Sequence, residues 1–224
     1  RVEKGTHRAI NRFRAFGRMV SKNNTRACWV LKCDIKKFFA SVDHTVLLDI
    51  LWQYIPDARI LGLLWEVISS FSSEKQGTGL PLGNLTSQLF ANVYMNEFDQ
   101  FVKHTLKVRY YIRYADDFVV LSDDRAALER ILPLIGTFLH EKMNLVLHPD
   151  KVFIKTLASG VDFLGWVHFA DHRVLRTATK RRMMRTISKK VGKGEVVQSY
   201  LGMLGHGNAQ RIRRDIALLS EKTA

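Results

Sequence analysis

Residues 108–122, VRYYIRYADDFVVLS, set two adjacent acids in the middle of an apolar run. The β-branched and aromatic flanks predict a β segment. Neighbouring carboxylates in such surroundings repel and lose hydration unless a cation offsets both effects. A strand–turn–strand arrangement with Asp116 and Asp117 at its tip meets that constraint, because a hairpin tip lets adjacent side chains converge as a flat strand does not. An ordinary turn and a metal site both account for these residues taken alone.

The rest of the chain mixes strands and helices. ACWVLKCDI (27–35) predicts a buried strand that delivers Asp34 at its C-terminal end. Helical periodicity runs through residues 5–21, 41–55, 57–71 and 123–143, and Pro133 should bend the last of these or break it. A Gly/Ser/Pro-rich loop, SSEKQGTGLPLGNLTSQ, leads into a long helix over 85–106 with Asn84 or Thr86 as its N-cap. Residues 145–154 predict strand, turn and strand around Pro149-Asp150, and residues 161–177 a hairpin turning near Ala170–His172. From Ala178 onward the pattern is helical. The elements do not alternate strictly, so the expected class is α+β with an antiparallel sheet.

Charge points to a polyanion. The 224 residues carry 35 Lys and Arg against 21 Asp and Glu, a net +14. Between Asp171 and Glu195 nine basic residues occur without an acid: Arg173, Arg176, Lys180, Arg181, Arg182, Arg185, Lys189, Lys190 and Lys193. Lys4, Arg8 and Arg12 recur at every fourth residue on one helical face, opposite Ile10, Phe13, Gly17 and Val20. Two basic flanks around a balanced middle suit the walls of a phosphate-lined groove. The apolar stretches are too short to span a membrane. Two cysteines, Cys28 and Cys33, fit a reducing, cytoplasmic interior and no zinc site.

Asp34 closes one apolar strand and Asp116-Asp117 tip another, so a small antiparallel sheet can make the three carboxylates neighbours. Hard oxygen ligands without His or Cys favour two Mg²⁺ ions, or Mn²⁺, with phosphate completing the shell. Two such ions suit an in-line displacement at phosphorus, which is nucleotidyl transfer.

YADD after VRYYIR, CDIKKFF upstream and LPLGNLTSQLFAN between them resemble the palm of reverse transcriptases, in order and spacing. FLGW (163–166) resembles that family's primer-grip hairpin, HPDK (148–151) the segment before it, and GTHRAI the helix preceding the first catalytic Asp. The resemblance covers nearly the whole chain. It implies a polymerase palm with a small antiparallel sheet packed on helices, partial fingers over residues 1–176 with the palm, and a helical thumb over 177–224. It assigns Asp34 and Asp116 to both metals, the Ile35 carbonyl to one of them, and Asp117 to support. Phe39 takes the place of the aromatic that excludes a ribose 2′-hydroxyl. Leu82, Gly83, Gln88 and Lys151 fall at dNTP-binding positions, and Phe163, Leu164, Gly165 and Trp166 at the primer grip. The implied partners are an RNA template, a DNA or RNA primer and dNTPs.

Pro81-Leu82-Gly83 and Ser87-Gln88 stand where most of the family reads PQG and SP. In this they resemble the enzymes of diversity-generating retroelements, which implies error-prone copying at adenines aided by a small basic accessory protein. Retron- or defence-type enzymes, and a silent palm that only binds nucleic acid, are the alternatives. An RNA-dependent RNA polymerase shares the palm logic, but Phe39 argues against it. A group II intron enzyme is expected less, because little chain follows the thumb-like region. The opening Arg and the absence of fingers strands before GTHRAI read as a fragment lacking the triphosphate clamp.

Overall fold

The structure is a computed structural model that describes residues 5–189 and 194–221. It divides into two compact units, one spanning Trp29–Ile154 and the other joining the residues up to Cys28 with those from Lys155 onward. The described residues before position 29 and the 161–175 strands thus fall in one unit with the C-terminal helices.

The central unit is built on strands β1 (Trp29–Asp34), β2 (Tyr111–Tyr114) and β3 (Asp117–Ser122). Both β1 and β2 pair antiparallel with β3, in a sheet ordered β2-β3-β1 and then β4 (Phe153–Thr156). Leu31, Cys33, Phe118 and Val120 point to one face, where they join a core with Tyr94, Met95 and Phe98. Those three come from helix α5 (Leu85–Gln100), and Leu128, Ile135 and Leu139 are added by helix α6 (Arg125–Met143). A short turn α2 (Phe38–Ser41) and helices α3 (His44–Tyr54) and α4 (Ala58–Ser69) cover the rest. Asp43 and Asp57 start α3 and α4 by accepting two backbone N–H groups each.

Helix α6 (Arg125–Met143) runs through Pro133 without a break. Pro133 and Glu129, whose carbonyl the proline leaves without its usual donor, both lie on the exposed side, where water can satisfy the orphan. Meanwhile Leu128, Ile135, Leu139 and Met143 hold the buried side together. The long helix predicted over 85–106 keeps its length but widens into a π-helical turn over Phe101–Thr105. Residues 145–154 form less strand than expected: Leu147 makes a single bridge to Ile35, and Pro149–Lys151 is a 3₁₀ turn before β4.

The other unit joins helix α1 (Thr6–Val20) to a three-stranded sheet, β5 (Val161–Phe163), β6 (Trp166–His168) and β7 (Arg173–Leu175), in that order. The predicted hairpin over 161–177 is therefore a meander of three strands. Its second turn lies where expected, and Leu164-Gly165 makes a tighter one before it. Helices α7 (Thr177–Lys189), α8 (Gly194–Leu204) and α9 (Gln210–Glu221) follow. Ile10, Trp166, Leu175, Met183, Leu204, Ile212 and Ile216 form the unit's core. The architecture is the expected α+β with small antiparallel sheets.

Candidate active site

The β1–β3 ladder sets Asp34 directly opposite Asp117, and the β2–β3 hairpin closes on the pair Tyr114 and Asp117. Ala115 and Asp116 are left as a two-residue tip. Asp34 and Asp117, as cross-strand partners, share a face, and so does Lys32, two residues back on β1. Lys32 Nζ lies 3.2 Å from Asp117 Oδ1, and Lys151 Nζ lies 3.0 Å from Asp34 Oδ1. The two lysines thus arrive from the neighbouring strand β1 and from the 3₁₀ turn at Pro149–Lys151.

Burial sets the electrostatics. It pushes the Asp117 carboxyl up to about 6, outweighing the opposing pull of Lys32. Asp116 is raised as well, first by burial and then by the charge of Asp34, while its own backbone hydrogen bond and the two lysines pull it back. The Cys33 thiol beside this cluster is pushed up to about 12 by burial, so it offers no thiolate.

These groups suit a hard divalent cation whose shell is completed by substrate. The buried Oδ1 of Asp117 has an ion-pair partner but no aligned hydrogen bond. Strand pairing around Ile35 uses the Asp34 carbonyl, bonded by His148 N–H at 2.8 Å, and the Lys36 N–H, bonded to Val146 O at 2.9 Å. The carbonyl of Ile35 takes no part in either bond. Among the described residues no three acidic, His or Cys side chains stand together as a ready-made cage. Magnesium sites of this kind use one or two carboxylates plus phosphate oxygens, so a complete protein cage is not needed. The expectation of three converging carboxylates is corrected to this extent: Asp117 is paired with Lys32.

The other predicted positions of this unit follow the same strand end. Phe39 is half-buried against the core, and its carbonyl accepts a 2.7 Å hydrogen bond from Leu80 N–H, which fixes the loop leading to Pro81-Leu82-Gly83. Leu82 is 78% exposed. Gly83 has φ +95°, in the region that favours glycine, and faces open space. Gln88 is exposed on the first turn of α5.

Arg113, the residue before YADD, is buried. Its side chain is 4% exposed, with Nε and Nη2 on the two oxygens of Asp99 at 2.8 and 2.6 Å. Sequence reasoning missed Lys32 and Asp99. The signals were a lone lysine in an apolar strand two residues before Asp34, and an acid four residues after the buried Met95 of α5.

In the other unit, Phe163 and Trp166 close the β5–β6 hairpin as core residues, leaving Leu164 (φ +52°) and Gly165 (φ +83°) at its tip. Arg8, Arg12, Arg181, Arg182 and Arg185 are exposed, with Arg12 also over the Phe16 ring. Arg176 pairs with Asp162 at 2.9 Å, and Lys180 lies 3.8 Å from Asp215. Arg173, counted in the basic run, is buried: it bonds Asn11 at 2.9 Å and the His206 carbonyl, so it is no phosphate contact. Lys4 and the side chain of Lys189 lie outside the described residues.

The family description "Reverse transcriptase (RNA-dependent DNA polymerase)" matches residues 3–168. The chain belongs to the reverse transcriptase family. Among curated relatives, protein YkfC of Escherichia coli K12 is 28% identical over 84% of this chain and 57% of its own length. The group II intron-encoded protein LtrA of Lactococcus lactis subsp. cremoris is 23% identical over 76% of this chain and 39% of its own. This reverse transcriptase chain thus spans little more than half of the first relative and less than half of the second. A solved telomerase from Candida albicans, in complex with a fragment of telomeric RNA, shares the fold. Its TM-score is 0.62 at 11% identity, covering 99% of this chain and 44% of that one. No helix among the described residues is long and apolar enough to cross a membrane.

Proposed function

We propose that this chain is the catalytic palm of an RNA-directed DNA polymerase, extending a DNA or RNA primer with dNTPs along an RNA template. One observation carries the reading: the ladder register sets Asp34 opposite Asp117 and leaves Asp116 at the adjoining tip, in a chain of the reverse transcriptase family. Asp34, Asp116 and the Ile35 carbonyl would hold two divalent cations, Mg²⁺ or Mn²⁺, with Asp117 and Lys32 steadying the carboxylates. When bound, such ions supply the charge that favours an ionised 3′-hydroxyl and a departing pyrophosphate. The 3′-oxygen bonds the α-phosphorus as the bond to the β-phosphate oxygen breaks.

The remaining residues bind and select. Phe39, lying beside the loop that carries Leu82 and Gly83, would fill the space that a 2′-hydroxyl needs. Lys151, half-exposed beside Asp34, would meet phosphate charge. Exposed arginines of α1 and α7 would hold the nucleic-acid backbone, and the Leu164-Gly165 turn would touch the primer.

Primer extension on an RNA template with dNTPs and Mg²⁺, in the intact protein, tests this. Asp116→Asn should reduce product to background while salt-dependent binding of primer–template persists. Equal product from both would overturn the assignment, and binding without incorporation by wild type would make the chain a silent scaffold. Phe39→Ala should gain ribonucleotide incorporation.

The finer reading, an error-prone enzyme of a diversity-generating retroelement working with a small basic accessory protein, is supported by Leu82. Its exposed side chain cannot hydrogen-bond an incoming base pair, which removes one discriminating contact. Leu82→Gln should lower misincorporation opposite template adenine; an unchanged error spectrum removes Leu82 from the explanation.

A further inference from the structure

The tip that carries Asp116 is a strained turn with an unusual anchor. Ala115 has φ +54°, a left-handed conformation that costs a side-chain-bearing residue about 1–2 kcal/mol. Two residues before it on β2, Arg113 spends all three guanidinium nitrogens in fixed directions. Nε and Nη2 grip both oxygens of Asp99, and Nη1 donates to the Ala115 carbonyl at 3.0 Å. Asp99 also accepts from Tyr111 Oη at 2.8 Å, so it is held from two positions of the same strand. Asp99 belongs to the last turn of α5, whose Phe98 packs edge-on against Phe118 in β3. The carbonyl of the strained residue is therefore tied, through one planar fork, to the core helix beneath the hairpin.

A buried ion pair is weak support for stability, since an apolar pair of similar volume often serves as well. Its distinctive product is fixed geometry. The fork cannot keep both Asp99 oxygens and the Ala115 carbonyl unless β2, α5 and the tip hold one arrangement.

We propose that Arg113 and Asp99 are a positioning pair that holds the Ala115–Asp116 tip in the conformation presenting the Asp116 carboxylate to a divalent cation. This rests on the reading of Asp116 as a cation ligand. Arg113 touches neither substrate nor cation; it acts through the Ala115 carbonyl. Arg113→Lys keeps a positive partner for Asp99 but cannot also reach that carbonyl, so the tip loses its anchor while the buried charge stays compensated.

The test is Mn²⁺ binding to the intact protein, followed by the loss of the free-ion signal in electron paramagnetic resonance, beside a thermal melt of each variant. Arg113→Lys should weaken Mn²⁺ by about 10-fold, the scale of lost outer-shell support, with the melting transition largely kept. In primer extension kcat should fall while KM for dNTP changes little, the split expected when positioning and not binding is lost. Ala115→Gly, which frees the tip without touching the buried pair, should weaken Mn²⁺ in the same direction, and it decides the matter if Arg113→Lys fails to fold. Wild-type Mn²⁺ affinity in a folded Arg113→Lys, or in Ala115→Gly where the first does not fold, overturns the proposal. The two readings fail differently: Mn²⁺ binding lost in Asp116→Asn without primer extension by wild type removes the polymerase, not the positioning pair.

Discussion

The structure contains two tight hairpins of the same design, secured by opposite means. The β2–β3 tip closes on Tyr114 and Asp117, the β5–β6 tip on Phe163 and Trp166, and each leaves two residues with at least one in the left-handed region. At the second, the closing pair is itself core, and a glycine takes part of the strain. The first is closed by a largely buried but charged Asp117 and an exposed tyrosine, so apolar burial cannot hold it. Its hold comes from behind, through Arg113 and Asp99. A tip that must stay polar and open to a cation cannot be buried, and a buried charged fork two residues away substitutes for the missing core.

The largest expected effects test the anchors themselves. Trp166→Ala should destabilise its unit by about 3–5 kcal/mol, as emptied aromatic sites do. Arg113→Met should cost a similar 3–5 kcal/mol by leaving Asp99 buried without its partner. Denaturant melts distinguish the mechanisms: Arg113→Met combined with Asp99→Leu should recover much of the loss, whereas no polar change elsewhere should rescue Trp166→Ala. Equal rescue in both would erase the contrast.

Acidity should separate the hairpins next. Asp117 binds its proton more tightly folded than unfolded, with a folded value of about 6, so its contribution to stability falls as pH rises from about 4 to 6. His168, on β6, is pushed down to about 4, chiefly by burial. A histidine kept neutral contributes stability above its unfolded pKa, and this is lost as pH falls through 6.5 toward 4. Each effect is on the order of 2–3 kcal/mol, and the two slopes oppose one another. Asp117→Asn should leave stability rising over pH 4–6.5, and His168→Gln should leave it falling. Added Mg²⁺ should flatten the Asp117 slope by favouring the ionised form.

The smallest effects concern the tips alone. Gly165→Ala should cost about 1–2 kcal/mol, because φ +83° is strained for any side chain. Ala115→Gly should be neutral or stabilising by up to about 1 kcal/mol, despite the weaker Mn²⁺ binding expected of it. Changes of the same sign in the two melts would mean that the tips are not strained alike.

Much of this was legible in the sequence because it is local. Apolar runs ending in Asp34 and interrupted at Asp116-Asp117 fix two strand ends, and the motif order supplies the palm. Long-range pairing was not legible. Nothing near YADD in the chain announces that Lys32 would face Asp117, since that depends on ladder register. The burial of Arg113 was not legible either, because its partner lies 14 residues back, on a helix whose buried stripe only grazes Asp99. The Leu164-Gly165 turn was hidden inside a run apolar enough to pass for one strand, and Pro133 misled because Glu129, whose carbonyl it orphans, lies on the exposed side.

Both cysteines lie in the interior, with no disulfide between them, and the thiol of Cys33 is held far from ionisation. Over these 224 residues the background for thiol-directed probes is therefore quiet. A single cysteine introduced at the exposed Leu82 would carry a spin or fluorescent label alone, so the approach of an incoming nucleotide could be followed without first rebuilding the protein.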